Sequence, residues 1–553
     1  MSKIEEKLVK VLEETVQEKY GLEPQQGFIM MEIPKDSKNG DYATNAAMRL
    51  KKVANKNPRE IAEELKEAVL LKCEEVEKVD IAGPGFINFW IKKDSLANII
   101  NTVLAEGDNY GHNNVGKGER ILMEYVSANP TGPLHLGHAR GASWGDSTCR
   151  LLSASGFDCL REYYINDAGN QIDNLGKSLE ARYHELFGDN SKVLPEDGYH
   201  GPDIIEIAKE IKEEDGDKWM NVDEETAFKY FRNEGKNREL ARIKKDLSYY
   251  GCEFDSWISE QWIRDSGMIE QTLEKMAKMG LTYESDGALW MRTTDYGDDK
   301  DRVVRRSNGE YTYFTPDIAN HEYKYARGYT TLVNLWGADH HGYIARMQAA
   351  MEAMGYKKGS LMVDIIQMVR LVDEGVEVKM SKRTGNAITI HELIDDIGLD
   401  SARYFFLARA LDTHLDFDIG LARKRTSENP VYYAQYAHAR ICSVLNKAGE
   451  FESPAKYEHL VNEYESELLR HIASFPEVVG DAALTRAPNK ICNYVQKLAQ
   501  YIHAFYTNSH ILNAEDETLK LERLSLAKAS AITMKNALYL LGVSAPSTMT
   551  RED

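Results

Sequence analysis

The stretch that most narrows the folds open to this chain is Arg120–Ala142. There a short apolar strand, Ile121-Leu122-Met123, passes through a turn-rich run, Ser127-Ala128-Asn129-Pro130-Thr131-Gly132-Pro133, into a helix start rich in small residues. A strand that feeds a loop and then a helix opens a parallel α/β unit, and such units hold nucleotides at the carboxyl ends of their strands. Further apolar strands at Thr331–Leu335 and Leu361–Met368 alternate with helical stretches, which extends the expected sheet to about residue 420.

The flanks have a different character. Ile4, Leu8, Val11, Leu12 and Val16 share one helical face, with Ser2 and Glu5 spaced as a capping box. A second helix runs from Pro58 to Leu71, and the apolar run Val79–Ile91, broken at Gly83-Pro84-Gly85, reads as a strand pair or a bulged strand. Residues 1–110 are therefore expected to form an α+β domain, with Gly107–Asn114 as a linker. At the other end, residues 489–541 hold neither Gly nor Pro, and Ile491, Val495, Leu498, Ile502 and Phe505 recur at helical spacing. An all-α bundle over 426–553, starting near Asn429-Pro430, is expected, leaving 111–425 as the α/β domain. The acidic run Glu213–Glu225 reads as the solvated face of an insertion.

Composition excludes several functions. A net charge of −20 over 553 residues argues against broad adhesion to nucleic acid or anionic membranes, so a polyanionic partner must meet a local basic surface. Six scattered cysteines with no C-x-x-C pair suggest neither a disulfide framework nor a zinc site. No apolar stretch approaches membrane-spanning length, and the first twenty residues lack the apolar core of a secretion signal; a cytoplasmic protein is expected.

Two motifs carry chemistry. His135 and His138 flank Leu136-Gly137 at the helix start, where ring N–H groups and the helix dipole can hold triphosphate oxygens while Gly137 lets an adenine ring approach the backbone. The residues alone leave two alternatives, a metal site and a pair of surface histidines. Far downstream, Val378–Asn386 reads VKMSKRTGN: Lys379 and Lys382, around Met380 and Ser381, form a cationic loop able to close over β- and γ-phosphates, or simply an ordinary basic loop.

Together, HLGH and KMSKR resemble the signatures of class I aminoacyl-tRNA synthetases. The blocks VSANPTGPLHLGHARGA, REYYINDAGNQ, WGADHHGY, GLDSARYFF and NPVYYAQYAHARIC resemble arginyl-tRNA synthetases in particular, as do GDYATNAAMRL and AGPGFINFWI near the front. The resemblance implies a Rossmann-type catalytic domain, an N-terminal tRNA-contacting domain and a C-terminal anticodon-binding bundle. It implies ATP and L-arginine as substrates, Mg²⁺ carried on ATP, no zinc, tRNA for arginine as partner, no membrane, and a monomer. His135, His138, Lys379 and Lys382 then promote adenylate formation, with Gly137, Met380 and Ser381 also at the ATP. Glu260, Asp317 and Tyr313 match positions around the guanidinium; Glu124, Ser127 and Asn129 match those at the α-amino and carboxylate end, and Asp339 and His340 belong to the same pocket. Tyr432, Gln435, Tyr436, His438 and Arg440 offer aromatic faces and polar edges to unpaired bases. The family's junction motif is departed from at Asp400-Ser401-Ala402-Arg403. Two rival readings are a smaller ATP-dependent ligase, which would need only the central domain, and an inactive RNA-binding relative, against which the intact histidines and lysines weigh.

Overall fold

The computed structural model describes residues 3–22, 29–32, 34, 37–378 and 388–549. At its centre is a parallel sheet of five strands: β1 (Arg120–Glu124), β2 (Asp158–Ile165), β3 (Ser256–Ser259), β4 (Thr331–Gly337) and β5 (Leu361–Ile366). The spatial order is β5-β4-β1-β2-β3, with Leu122 of β1 opposite Leu160 of β2 and Leu332 of β4. The chain winds outward from β1 to β3 and then returns to the other side. The switch between β1 and β4 opens a crevice at Glu124 and Gly337, where ligands of such sheets bind.

The small residues after β1 have a packing reason. Helix α1 (Leu136–Ala154) lies so close to the sheet that a Cβ at Gly145 would stand 2.2 Å from the Tyr125 ring. Between β2 and β3 an insertion of three helices, α2 (Asn170–Glu185), α3 (Pro202–Asp215) and α4 (Glu224–Tyr249), buries its own cluster of Leu175, Leu179, Tyr183, Ile204, Ile207 and Phe231. The acidic run spans the solvent-facing join of α3 and α4, as expected. Helix α5 (Phe314–Ala326) leads into β4.

The sheet stops earlier than the sequence suggests. Its last strand ends at Ile366, and Val369–Asp373 instead pairs with Val376–Glu377 and Leu415–Asp418 in a separate sheet. At the break, the Gln367 carbonyl accepts a hydrogen bond from buried Arg140 of α1 (2.6 Å). At the N-terminal end, helices Lys3–Tyr20 and Pro58–Lys72 cover an antiparallel sheet in which Val76–Ala82 and Phe86–Ile91 form a hairpin, the strand-pair alternative.

The expected linker is an anchored segment. Tyr110 is buried and donates to the Ile472 carbonyl (2.6 Å), while Asn536 Nδ2 donates to the carbonyls of Gly107 and Tyr110 (2.9 Å each). Helix α6 (Leu399–Leu407) precedes the bundle, whose long members are α7 (Pro430–Ala448), α8 (Asn489–Asn508) and α9 (Glu517–Leu540). The Gly- and Pro-free run is two helices, because Asp516 caps a new start by accepting from Leu519 N (2.8 Å). Asp400 and Arg403 both tie the α/β domain to the bundle. Asp400 accepts from Ser544 N (2.9 Å) and Gln435 Nε2 (2.8 Å). Arg403, 1% exposed, pairs with Asp146 of α1 (2.5 Å) and donates to the Leu541 carbonyl (3.0 Å). No described helix is long and apolar enough to cross a membrane.

Candidate active site

At the start of α1 the two histidines cap the helix with their own rings. His135 Nδ1 accepts from Gly137 N (3.1 Å) and His138 Nδ1 accepts from His135 N (3.2 Å), with the rings stacked at 3.8 Å between centroids. An imidazole that accepts at Nδ1 carries its proton on Nε2 when neutral. Desolvation keeps both neutral: the His135 pKa falls below the ordinary range, and that of His138, with His135 beside it, falls to about 3. The pair therefore presents two Nε2–H donors of fixed tautomer at a helix N-terminus, the arrangement an oxyanion requires. This detail was not legible in the motif, which gives spacing without ring roles.

Immediately after β1 the backbone turns through left-handed conformations at Val126 (φ 67°) and Ser127 (φ 40°). Such geometry is costly for a β-branched residue and concentrates at functional sites. Ser127 Oγ accepts from Tyr164 N of the neighbouring strand β2 (3.1 Å), and Asn129 donates to Gln171 Oε1 of α2.

Three of the four acids expected around arginine, Glu124, Glu260 and Asp317, converge. The Asp317 carboxyl, one turn into α5, is raised to about 7: burial pushes it up and Glu260 and Glu124 add to the push, against a 2.6 Å hydrogen bond from Tyr343 and the charge of Lys324. The same three acids, together with burial, raise the Tyr164 hydroxyl well above its ordinary range, and that hydroxyl has no hydrogen-bond partner among the described residues. Each acid is held from behind. Arg264 donates to Oε1 of Glu260 (2.6 Å), and Lys324, 0% exposed, pairs with Glu124 and lies 3.6 Å from Glu162, which in turn pairs with Arg327 (2.5 Å). Tyr343, Tyr164, Lys324 and Arg264 are members of this site that the sequence reading missed. Tyr343 closes WGADHHGY and Tyr164 lies inside REYYIND, so the signal was present in blocks already singled out.

Other expected residues stand apart from the cluster. Tyr313 is 75% exposed at the head of α5, one turn before Asp317. Asp339 and His340 are exposed beyond the carboxyl end of β4 and face each other at 3.5 Å, so Tyr343 and not this pair reaches Asp317. Lys379, Met380, Ser381 and Lys382 lie outside the described residues. The chain on the far side of that segment docks directly on the histidine turn, since Leu136 N donates to the Ile388 carbonyl (3.1 Å) and Ile390 N to that of Leu134 (3.0 Å).

In α7 the expected RNA face divides. Gln435 and His438 are buried, with Gln435 bonded to Asp400 and Ser544 and His438 to the Pro546 carbonyl (2.9 Å). Their polar groups serve the junction, which corrects their placement on an RNA surface. Tyr432 and Tyr436 lie near-parallel 6.2 Å apart, and Arg440 stacks on Tyr436 (5.1 Å) and Tyr506 (4.3 Å) beside an open cleft of about 500 Å³.

Three family models cover the chain in order. Residues 2–91 match an arginyl tRNA synthetase N terminal domain, 99–406 the catalytic domain of "tRNA synthetases class I (R)", and 434–549 a DALR anticodon binding domain. Arginine--tRNA ligase 1 of Halalkalibacterium halodurans is 51% identical over 525 residues, 94% of each chain, and arginine--tRNA ligase of Bacillus subtilis is 51% identical over the same share. A solved structure titled as a putative arginyl-tRNA synthetase from Campylobacter jejuni superposes with a TM-score of 0.76 at 37% identity, covering 83% of this chain and all of that one. With the parallel sheet, the histidine turn at its switch point and the helical bundle in place, the chain belongs to the arginyl-tRNA synthetases of class I.

Proposed function

We infer that this protein joins arginine to the 3′-terminal adenosine of its tRNA in two steps. The arginine carboxylate attacks the α-phosphorus of ATP, forming arginyl-adenylate as the bond to pyrophosphate breaks; a terminal ribose hydroxyl then attacks the activated carbonyl and AMP leaves. Neither step needs a protein nucleophile, so catalysis consists of alignment and charge stabilisation. The observation that carries this reading is the convergence of the Glu124, Glu260 and Asp317 carboxylates, which together with burial raise Asp317, in a chain whose histidine turn offers neutral donors.

In this mechanism Asp317 and Glu260 hold the planar guanidinium, with Tyr343 orienting Asp317. Glu124, held by Lys324, faces the α-amino group, with Ser127 and Asn129 at that end of the substrate. The Nε2–H groups of His135 and His138 donate to phosphate oxygens, and Lys379 and Lys382 neutralise the departing pyrophosphate. Mg²⁺ enters on the ATP phosphates. Tyr432, Tyr436 and Arg440 contact the tRNA, and the enzyme acts as a cytoplasmic monomer with working divisions at 1–110, 111–425 and 426–553. Charging of tRNA with labelled arginine by the full chain tests the reading; failure to charge with ATP and Mg²⁺ present would refute it.

A further inference from the structure

Within REYYINDAGNQ, Asp167 touches no reactant in the proposed mechanism, yet it is 3% exposed, two residues beyond the end of β2. A buried acid is costly unless donors surround it. Two of its donors come from the residues on either side of Glu260. Ser259, the last residue of β3, directs its hydroxyl at both carboxylate oxygens (2.9 and 2.8 Å), and Gln261 N donates to Oδ1 (2.9 Å). A third arrives from the insertion, where Lys236 Nζ of α4 lies 3.3 Å from Oδ2.

These contacts fix where Glu260 leaves the sheet. Strands β2 and β3 are neighbours with Ile165 opposite Ser259, so the chain just beyond β2 reaches the turn that ends β3. Because the Ser259 proton points to Asp167, the hydroxyl oxygen can accept from Trp262 N (3.0 Å) and cap the short helix Glu260–Asp265. Glu260 is thereby held through the backbone on both sides, while Arg264 holds its carboxylate one turn further along (2.6 Å).

We propose that Asp167 is a positioning residue for arginine specificity: through Ser259 and Gln261 it sets the place of Glu260, and through Lys236 it ties that place to the insertion. The proposal rests on the reading of Glu260 as a partner of the guanidinium. A planar cation held between carboxylates is sensitive to their spacing, and a misplacement on the order of 1 Å in such a site costs up to about 10²-fold.

The test is a double-mutant cycle on the full chain, read by ATP–pyrophosphate exchange in the presence of tRNA. Asp167→Asn, which puts an amide where Ser259 and Lys236 need an acceptor, should raise the arginine KM about ten- to 10²-fold while the ATP KM and kcat stay within about threefold. Placed on Glu260→Gln, the same change should add less than about threefold, because the carboxylate it positions is gone. Ser259→Ala removes only the hydroxyl and should give a smaller rise with the same dependence on Glu260. Circular dichroism melting checks both folds, and Ser259→Ala carries the test if Asp167→Asn is unfolded at the assay temperature. An unchanged arginine KM in a folded variant, a rise of equal size with Glu260 intact or substituted, or arginine and ATP constants rising together would overturn the proposal. If Glu260→Gln alone leaves the arginine KM unaltered, the guanidinium reading fails and takes the proposal with it, an outcome told apart by the silence of that single substitution.

Discussion

The proposed arginine pocket and the histidine turn meet the same strand, β1, through Glu124 at its end and the loop that follows, yet solve opposite problems by opposite means. The pocket gathers three acids around a place for a cation, and its electrostatic strain appears in Asp317, pushed up to about 7. In the proposed mechanism the turn receives an anion, yet it uses no charge: His135 and His138 are kept neutral, and their Nδ1 atoms are occupied by backbone donors, which leaves the proton on Nε2. Selecting arginine against neutral look-alikes requires charge, whereas holding phosphate oxygens through a changing transition state requires donors fixed in advance.

The sharpest way to break this contrast is to neutralise the pocket alone. Asp317→Asn and Glu260→Gln should each raise the arginine KM on the order of 10²- to 10³-fold, the scale of about 2–5 kcal/mol for a desolvated charge pair losing one partner. The ATP KM should stay within a few-fold. Steady-state kinetics showing both constants moving together would erase the division between the two regions.

On the phosphate side, Lys382→Ala should lower the activation rate about 10²-fold, with arginine affinity retained. Single-turnover adenylate formation is the readout, and a rate within threefold of the parent would remove Lys382 from the reaction.

Acidity separates the regions next. Asp317 must be ionised to hold a cation, so kcat/KM for arginine should fall as pH drops below 7, approaching about tenfold per unit. His138, lowered to about 3, stays neutral across the same window and His135 is shifted in the same direction, so the ATP KM should change far less than the arginine term between pH 8 and 6. A parallel fall for both substrates would contradict this assignment of charge.

The smallest effect is expected at Gly137→Ala. The new Cβ would meet His135 Cε1 at 3.1 Å and Nδ1 at 3.3 Å, so the ring must shift by tenths of an ångström and its bond to the backbone weakens. ATP KM should rise roughly three- to tenfold with arginine KM unchanged; a pure arginine effect would misplace the turn.

How far the sequence reveals this molecule depends on how local each feature is. Strand β1, the histidine turn, the hairpin broken at Gly83–Gly85 and the heptad-like apolar spacing of α8 are set by neighbours within a few residues, and the structure matches them. The end of β5 at Ile366 follows from Arg140 holding the Gln367 carbonyl, a contact spanning 227 residues that no local pattern carries. Gln435 and His438 mislead for the same reason: a helical stripe of Tyr, Gln and His looks like an RNA face until Ser544 and Pro546 fold back onto it. Asp400 and Arg403 show the converse, since the departure within their motif spares the two charged residues that make the junction. The acids of the pocket were reachable through family motifs, but Lys324 behind Glu124 was not, because a lysine in a helix reads as surface until its burial is seen.

The most direct test of the central contrast is ATP–pyrophosphate exchange in the presence of tRNA, comparing arginine with citrulline, which replaces the guanidinium by a neutral group of nearly the same shape. The account predicts exchange with arginine and a rate lower by on the order of 10³ or more with citrulline, because the acids around Asp317 are left without their cation. Comparable exchange with the two amino acids would show that charge in this pocket does not select the substrate.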